Sequence, residues 1–227
     1  MMKRYAITIP RVRSHLKDLT KRKMNIIQSP SPNFSRSSHG KTVVMIHKTL
    51  GLMPGTLYWL QSRQSQASSQ YLITKKGVIY QLAKNTDTAW HAGRIYNPSD
   101  RAKKVMLKTN WGTYMNPNKY CIGIENEALL GEPITPEQLK ANIWLFKRLK
   151  EDVKVLFDGS PSHFLTHRDT SSYKPDMEDW RFSILEGVAN ELPNTDCKVV
   201  LDNWGQFRSE IINGQIVISR RPDDTIE

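Results

Sequence analysis

Apolar residues recur along the middle of the chain with the spacing of strands. The run "TVVMIH" (42–47) is apolar and β-branched, which predicts a buried strand that ends at His47. "QYLITKKGVIYQLA" (70–83) has two short apolar runs around a glycine-containing turn, which predicts a hairpin. "KYCIGIEN" (119–126) predicts another strand, with Glu125 on the face opposite its isoleucines.

The clearest helical pattern lies in "ITPEQLKANIWLFKRLKEDVKVLF" (134–157). Thr135 can cap this helix, Pro136 suits its first turn, and Gln138 completes a capping box. Its apolar residues fall on one stripe: Leu139, Ile143, Phe146, Leu149, Val153 and Leu156. The helix is therefore expected to pack against the sheet.

The last third of the chain predicts a short strand, a helix and a hairpin. In "SHFLTHRD" (162–169), His163, Leu165 and His167 would share one face of a strand. A helix is predicted near "DWRFSILEGVANEL" (179–192), after the loop "TSSYKPDMEDW". Farther on, the Asn213-Gly214 pair between apolar runs is a strong hairpin signal.

Together these elements predict a mixed α/β fold, in which a central mixed β-sheet is flanked by helices and followed by a small C-terminal β-extension. We divide the chain into a basic N-terminal segment (1–25), a main domain (26–190) and a C-terminal β-hairpin extension (191–227). "SPSPNFSRSSHGK" (29–41) is expected to be an extended connection into the main domain.

Composition sets broad limits on the class of protein. A chain of 227 residues allows one or two domains. It has no apolar run near the roughly 18 residues of a membrane span, and Pro10 ends the first apolar patch too early for a secretory signal. We therefore expect synthesis in the cytoplasm without a classical signal peptide. The two cysteines form neither a disulfide framework nor a C-x-x-C pair.

Positive charge is concentrated at the start of the chain. Residues 1–24 contain eight Lys or Arg and only Asp18, so they carry +7 of the net charge of +11. "RVRSHLKDLTKRK" (11–23) fits a short basic amphipathic helix, which could equally be a solvated helix or a binding arm. Such a patch suits an anionic partner: nucleic acid, a lipid surface or an anionic cell-wall polymer.

Six histidines are present, and any one of them taken singly is better explained by packing or by surface exposure than by metal binding. A catalytic zinc site needs three nitrogen, oxygen or sulfur ligands and one open position. His47, His167 and Asp176 would supply such a set. The two histidines are far apart in sequence, so only the tertiary structure could unite them, and their spacing does not show that it does.

Four stretches together resemble a known family. "VVMIHKTLG", "SSQYLITKKGVIYQLAKNTDTAWHAG", "NPNKYCIGIENE" and "HFLTHRDTSSYKPDMEDW" occur in the order and at roughly the intervals of the zinc-dependent N-acetylmuramoyl-L-alanine amidases of type 2. That family includes phage lysozymes of the amidase kind and resembles the peptidoglycan recognition proteins. The resemblance covers approximately residues 26–182 and rests on "AWHAG", "IGIE" and the later H…K-x-D.

The resemblance implies a role for each matching residue. His47 takes the place of the first zinc ligand, His167 of the second, and Asp176 of the third. Glu125 matches the glutamate of "IGIE", as general base or as an orienter of the attacking water. Lys174 matches the lysine of K-x-D, which would stabilise the developing oxyanion. Each also has an alternative as a core histidine, a turn residue, a solvated cation or a structural carboxylate.

Substrate contacts are implied for three further residues. His91, in "WHAG", matches a residue near the substrate cleft rather than a metal ligand. Trp90 and Tyr71 suit core packing when taken by themselves, but aromatic residues in this family often border the cleft. We therefore include all three among the candidate substrate-binding residues.

Three features depart from the family pattern. Lys48 stands where a histidine or a small residue is common, and it adds a cation beside the proposed metal. Gln70 stands where many members have histidine. "KPDMEDW" lacks the Pro-Gly that usually follows the aspartate. None removes a proposed ligand.

The function implied is hydrolysis of the amide bond between N-acetylmuramic acid and L-alanine of the stem peptide. Zn²⁺ would be the cofactor and bacterial peptidoglycan the substrate, reached after release or non-classical export. A peptidoglycan-binding module without catalysis is the alternative. A nucleic-acid binder is a third possibility, but no specific nucleic acid is expected because the chain lacks the usual signatures. Anionic wall polymer or lipid would be the partner of the basic segment.

Overall fold

The computed structural model describes residues 24–36, 39–152, 163–190, 207–212 and 215–220. The predicted helix at residues 11–23 lies outside these ranges, as do Val153 and Leu156 of the predicted stripe and the Asn213-Gly214 turn. None of the helices in the described part combines the length and apolar character needed to cross a membrane.

The strands are β1 Ile26–Gln28, β2 Phe34–Arg36, β3 Val43–Lys48, β4 Tyr71–Ile73, β5 Ile79–Gln81, β6 Asp87–Ala89, β7 Cys121–Asn126, β8 Phe164–Thr166, β9 Phe207–Ile212 and β10 Gln215–Arg220. The α-helices are α1 Gly55–Gln61, α2 Asp100–Val105, α3 Pro136–Asp152, α4 His167–Thr170 and α5 Glu178–Asn190.

The main sheet has six strands in the order β1-β5-β4-β7-β3-β8. Strands β4, β7, β3 and β8 are parallel, whereas β5 is antiparallel to β4 and β1 runs parallel to β5. The predicted mixed sheet flanked by helices is therefore confirmed. The predicted extended connection (29–41) contains one short strand, β2, which pairs with β6, and β1 lies just before it and pairs with β5.

The predicted hairpin is formed by β4 and β5. Its turn contains Gly77 at a φ of 73°, and a Cβ there would lie 2.8 Å from the carbonyl oxygen of Glu137. Only glycine combines a left-handed backbone with so close an approach to helix α3. The turn is thereby packed against the first turn of that helix.

Helix α3 begins as predicted. Thr135 Oγ1 accepts a hydrogen bond from the Gln138 backbone N–H at 3.1 Å, and Gln138 Oε1 accepts one from Thr135 N–H at 3.2 Å. Its inner face carries Phe146 and Leu149, both 2% exposed. These side chains join the core beneath the sheet, so the helix packs as its apolar stripe predicts.

The two faces of the sheet bury different sets of residues. One face presents Val44 and Ile46 of β3 to the core that includes α3 and α5. The other presents Val43 and Met45 to a second core around α2. Because successive strand residues point to opposite faces, His47 lies on the second face.

Two predictions from the C-terminal third have different outcomes. The hairpin is confirmed, since β9 and β10 pair antiparallel. The prediction that His167 shares a strand face with His163 is wrong: β8 ends at Thr166, and His167 is the first residue of α4. The short helix turns His167 out of the strand register.

Candidate active site

Two imidazole rings meet at the carboxyl edge of the parallel strands. Strands β3 and β8 are neighbours, with Ile46 opposite Thr166, so His47 and His167 leave the sheet side by side. Their Nδ1 atoms are 2.9 Å apart, although 120 positions separate them in sequence. The structure therefore unites the two histidines that the sequence could only propose as partners.

His167 is held by the start of helix α4. Asp169 Oδ2 accepts hydrogen bonds from the Thr166 backbone N–H at 2.8 Å and from its hydroxyl at 3.1 Å. Arg101 Nη2 donates to Asp169 Oδ1 at 2.7 Å. On the ring itself, Nε2 lies 2.9 Å from the carbonyl oxygen of Ala92. A carbonyl only accepts, so this contact puts the hydrogen on Nε2 and leaves Nδ1 without a hydrogen, with its lone pair facing His47.

His47 has a histidine neighbour on its other side. Its Nε2 lies 3.0 Å from Nδ1 of His91, whose side chain is buried. The His91 ring packs so closely on Gly123 that a Cβ there would lie 2.5 Å from its Cγ. The sequence predicted a substrate contact for His91 and gave no sign of this contact with His47.

Glu125 completes the cluster from strand β7. It stands directly opposite His47 in the β3–β7 register, and its Oε1 lies 3.9 Å from His47 Nδ1. Burial raises the pKa of Glu125 to about 7, although the charge of Lys174 acts to lower it. Within the described ranges, Oε2 of this carboxylate has no hydrogen-bond partner.

The three clustered histidines, His47, His91 and His167, are neutral at physiological pH. Burial is the largest cause in each case: it lowers the pKa of His47 well below its usual value, that of His167 to about 4 and that of His91 to about 3. The positive charge of Lys174 further lowers the pKa of His47 and His167, which identifies Lys174 as an electrostatic neighbour of the cluster. Neutral imidazole is the form that binds a metal ion.

Asp176 is not gathered with the two histidines. It is exposed, and its Oδ1 accepts a hydrogen bond from the backbone N–H of Glu178 at 2.9 Å, at the start of α5. Across the residues that the structure describes, no group of three His, Cys, Asp or Glu side chains is arranged to hold a metal ion. Only two of the three proposed ligands therefore converge.

The Lys48 ammonium lies away from the imidazole pair. Its Nζ donates to the carbonyl oxygen of Glu132 at 3.0 Å and stands 4.7 Å from the centre of the Trp180 ring. Burial lowers the pKa of Lys48, and the negative charges of Asp176 and Asp179 oppose that shift. Asp176 thus acts electrostatically on Lys48, whose side chain leaves β3 on the face opposite His47.

The imidazole pair is compatible with a zinc ion. Two nitrogens bound at about 2.0–2.1 Å in a tetrahedral complex lie roughly 3.3 Å apart, so a small separation of the Nδ1 atoms would admit the ion. Both rings also have an outer hydrogen-bond partner, as metal-binding histidines usually do: Ala92 for His167 and His91 for His47. The two imidazoles therefore fit zinc as ligands, and the third proposed ligand, Asp176, does not lie beside them.

The two aromatic candidates occupy different surroundings. Tyr71 is 2% exposed and belongs to the core that α3 covers, which favours packing over the substrate contact that the family resemblance implies. Trp90 is 37% exposed and immediately precedes His91. Of the two aromatic residues, only Trp90 has a surface that a ligand could touch.

Several supporting residues gave no signal in the sequence. Gln70, noted only as a departure, is buried, and its Oε1 accepts from Gly123 N–H at 2.7 Å. Asn118 is also buried, and its Oδ1 accepts from the backbone N–H groups of His91 and Ala92. These contacts join segments distant in sequence, so neither periodicity nor local motif could reveal them.

Comparison with known proteins agrees with this architecture. Among solved structures, a mutant endolysin from Bacillus subtilis is 19% identical with a TM-score of 0.53, covering 73% of this chain and 99% of that one. An endolysin N-acetylmuramoyl-L-alanine amidase from Clostridium intestinale URNW is 16% identical with a TM-score of 0.52, covering 74% of this chain and 97% of that one. These likenesses show the fold.

Sequence comparison identifies the family. N-acetylmuramoyl-L-alanine amidase A from Achromobacter lyticus is 31% identical over 98 residues, which are 43% of this chain and 43% of that protein. The aligned part is thus less than half of the curated relative's length. The profile of the N-acetylmuramoyl-L-alanine amidase family matches residues 38–178, more than half of the chain and all of the proposed site residues. The chain therefore belongs to the N-acetylmuramoyl-L-alanine amidase family.

Proposed function

We propose that this chain is a zinc-dependent amidase that hydrolyses the bond between N-acetylmuramic acid and L-alanine in bacterial peptidoglycan. The observation that carries the proposal is the facing pair of His47 and His167 Nδ1 atoms beside Glu125. Membership of the amidase family supplies the bond and the substrate class. His47, His167 and Asp176 are the proposed ligands, as the family resemblance implies.

When bound, zinc would supply Lewis acidity that makes water a nucleophile at neutral pH. Glu125 would take a proton from the attacking water and return it to the leaving amine of L-alanine. A carboxyl group with a pKa of about 7 can serve as both base and acid near neutrality. The Lys174 ammonium would stabilise the negative oxygen of the tetrahedral intermediate.

Asp176 binds a helix end rather than the imidazole pair. To act as the third ligand, its side chain would have to leave the N–H of Glu178 and turn toward the imidazoles. The alternative function, a peptidoglycan-binding module without catalysis, is favoured by this one observation, because a set of only two histidines lacks the third ligand of a catalytic zinc site.

Mass spectrometry of digested sacculi tests the proposal and its alternative together. Wild-type full-length protein should carry about one zinc per chain and release new L-alanine amino groups, and a chelator should stop that release. His167→Ala should lower the rate by at least roughly 10³-fold, more than the 10–100-fold loss typical of an outer partner.

His163→Ala is the matched control, since His163 precedes β8 at the end of the strand away from His167. This variant should retain wild-type cleavage. Sacculus binding without any release by the wild type would favour the binding module. Undiminished cleavage by His167→Ala would exclude His167 as a ligand.

A further inference from the structure

The outer nitrogens of the two proposed ligand histidines contact consecutive residues of one segment. His47 Nε2 lies 3.0 Å from Nδ1 of His91, and His167 Nε2 lies 2.9 Å from the carbonyl oxygen of Ala92. Residues 91 and 92 thus contact both rings on the side away from the facing Nδ1 atoms. A single segment is placed to set the orientation of both imidazoles.

Hydrogen-bond chemistry defines what each contact requires. A ring nitrogen that binds a metal carries no hydrogen, so the other nitrogen of the same neutral ring must carry it. For His167 the acceptor is the Ala92 carbonyl. For His47 it is Nδ1 of His91, which accepts only if the hydrogen of His91 is on its own Nε2.

The segment is itself anchored on buried polar groups. Asn118 Oδ1 accepts from the N–H of His91 at 3.0 Å and from that of Ala92 at 2.7 Å. The ammonium of Lys41, which is 5% exposed, donates to the Asn118 carbonyl oxygen at 3.1 Å. These bonds fix the backbone of residues 91 and 92 independently of their side chains.

The His91 ring is fixed from below by strand β7. A Cβ on Gly123 would lie 2.5 Å from Cγ and 2.6 Å from Cδ2 of that ring, so only glycine permits the packing. Gln70 holds the same glycine through two hydrogen bonds. Its side-chain Oε1 accepts from the Gly123 N–H, and its backbone N–H donates to the Gly123 carbonyl oxygen. The ring therefore has one position, between Gly123 and His47.

We propose that His91 is a positioning residue for the metal site: it accepts the Nε2 hydrogen of His47 and so directs Nδ1 of His47 to the zinc, while the Ala92 carbonyl does the same for His167. This inference rests on the proposed zinc-dependent function. It assigns His91 to the ligand His47 rather than to the substrate.

Zinc affinity of the full-length protein, measured by competition with a chelating dye, tests the proposal. His91→Phe keeps an aromatic ring but leaves His47 Nε2 without its partner, and should weaken Zn²⁺ binding by about 10–100-fold. His91→Asn places an amide near the position of Nδ1 and should retain most of the affinity. His163→Phe is the matched control and should bind Zn²⁺ as the wild type does.

A double-mutant cycle tests the packing on Gly123. Gly123→Ala should displace the His91 ring and weaken Zn²⁺ binding, whereas adding Gly123→Ala to His91→Ala should cause no further loss, because no ring remains to displace. An equal loss from Gly123→Ala in both backgrounds would show that the ring contact does not carry the effect, and would contradict the proposal.

A spectroscopic readout separates positioning from general stability. Long-range ¹H–¹⁵N spectra of the zinc-loaded wild type should show His91 with its hydrogen on Nε2 and a bare Nδ1. A hydrogen on Nδ1, or unchanged Zn²⁺ affinity in His91→Phe, would overturn the role of His91 alone. A wild-type chain that takes up no Zn²⁺ would overturn the proposed function as well.

Discussion

The residues that strands bring to the site are positioned differently from the proposed ligand that a loop brings. His47 and Glu125 stand opposite each other in adjacent parallel strands, and their side chains converge on the same face of the sheet. Asp176 lies between α4 and α5, is exposed, and caps the second of these helices. The sheet fixes two residues before any ligand binds, whereas the loop first satisfies a helix end.

This difference follows from the forces on each backbone. A strand residue has its direction set by the pleat and its neighbours set by the hydrogen-bond ladder. A loop aspartate competes for its own local bonds, and the free N–H groups at a helix start are strong competitors. His167 lies between these cases, because it follows a strand but begins a helix that Asp169 caps.

The largest effect within the strand-borne pair is expected from Glu125→Gln. Loss of the proposed base should lower kcat by about 10²–10⁴-fold, measured on a soluble muramyl peptide. Wild-type kcat should fall as pH drops through about 7, because the base acts in its ionised form, and this limb should be absent in the variant. The charge of a bound zinc ion, like that of Lys174, would favour the carboxylate, so the midpoint should lie no higher than about 7.

A stability measurement on the metal-free protein supplies the control. The raised pKa of Glu125 means that the folded state holds the proton more tightly than the unfolded state does. This proton's contribution to the free energy of unfolding is therefore present below about pH 4.5 and is lost as pH rises through about 7. The free energy of unfolding of Glu125→Gln should therefore come to exceed that of the wild type by up to about 3 kcal/mol as pH rises from about 5 to 8. A difference in the free energy of unfolding that does not change with pH would contradict the raised pKa of this buried carboxyl group.

Asp176→Asn breaks the loop-borne side of the comparison. Asparagine can still cap α5 but is a poor zinc ligand, so zinc affinity should fall at least roughly 100-fold while the free energy of unfolding without metal changes little. Asp179→Asn, in the first turn of the same helix, is the matched control and should bind zinc normally. Unchanged zinc affinity in Asp176→Asn would leave this residue a capping role only.

Sequence alone predicted most of the strand-borne site and little of its support. The apolar run "TVVMIH" and the alternation in "KYCIGIEN" predicted the two strands, and the alternation also predicted the face of Glu125. It could not reveal that Asn118 and Gln70 hold the segments behind them, because those bonds depend on tertiary contact. It also placed His167 on a strand, since nothing in "FLTHRD" fixes where period-two structure gives way to a helix.

Arg101→Leu tests how the intermediate case, His167, is held. The Arg101 guanidinium donates to Asp169 at 2.7 Å and to Glu178 at 2.8 Å, with only 19% of its side chain exposed. Its removal leaves a buried carboxylate without its counter-charge, so the free energy of unfolding in urea should fall by about 3 kcal/mol. Because Asp169 also caps α4, zinc affinity should fall as well.

Two controls separate these effects. Arg101→Lys keeps the charge without the two-pronged geometry and should fall between wild type and Arg101→Leu. Lys103→Leu removes the exposed pair with Asp100 on the same helix and should change stability little. If Arg101→Leu and Lys103→Leu lowered the free energy of unfolding equally, the buried ion pairs of Arg101 would not be supporting α4.

The smallest effect is expected next to the proposed ligand on strand β3. Lys48→Met removes a cation adjacent in sequence to His47, but the ammonium lies over Trp180 and donates to the Glu132 carbonyl. The pH midpoint of kcat should therefore stay where the wild type has it, with a stability change below about 1 kcal/mol. A higher midpoint in Lys48→Met would show that the charge of Lys48 lowers the midpoint in the wild type and therefore reaches the site. The two faces of strand β3 would then not be electrostatically separate, and the position of a residue on a strand would not decide whether its charge acts on the site.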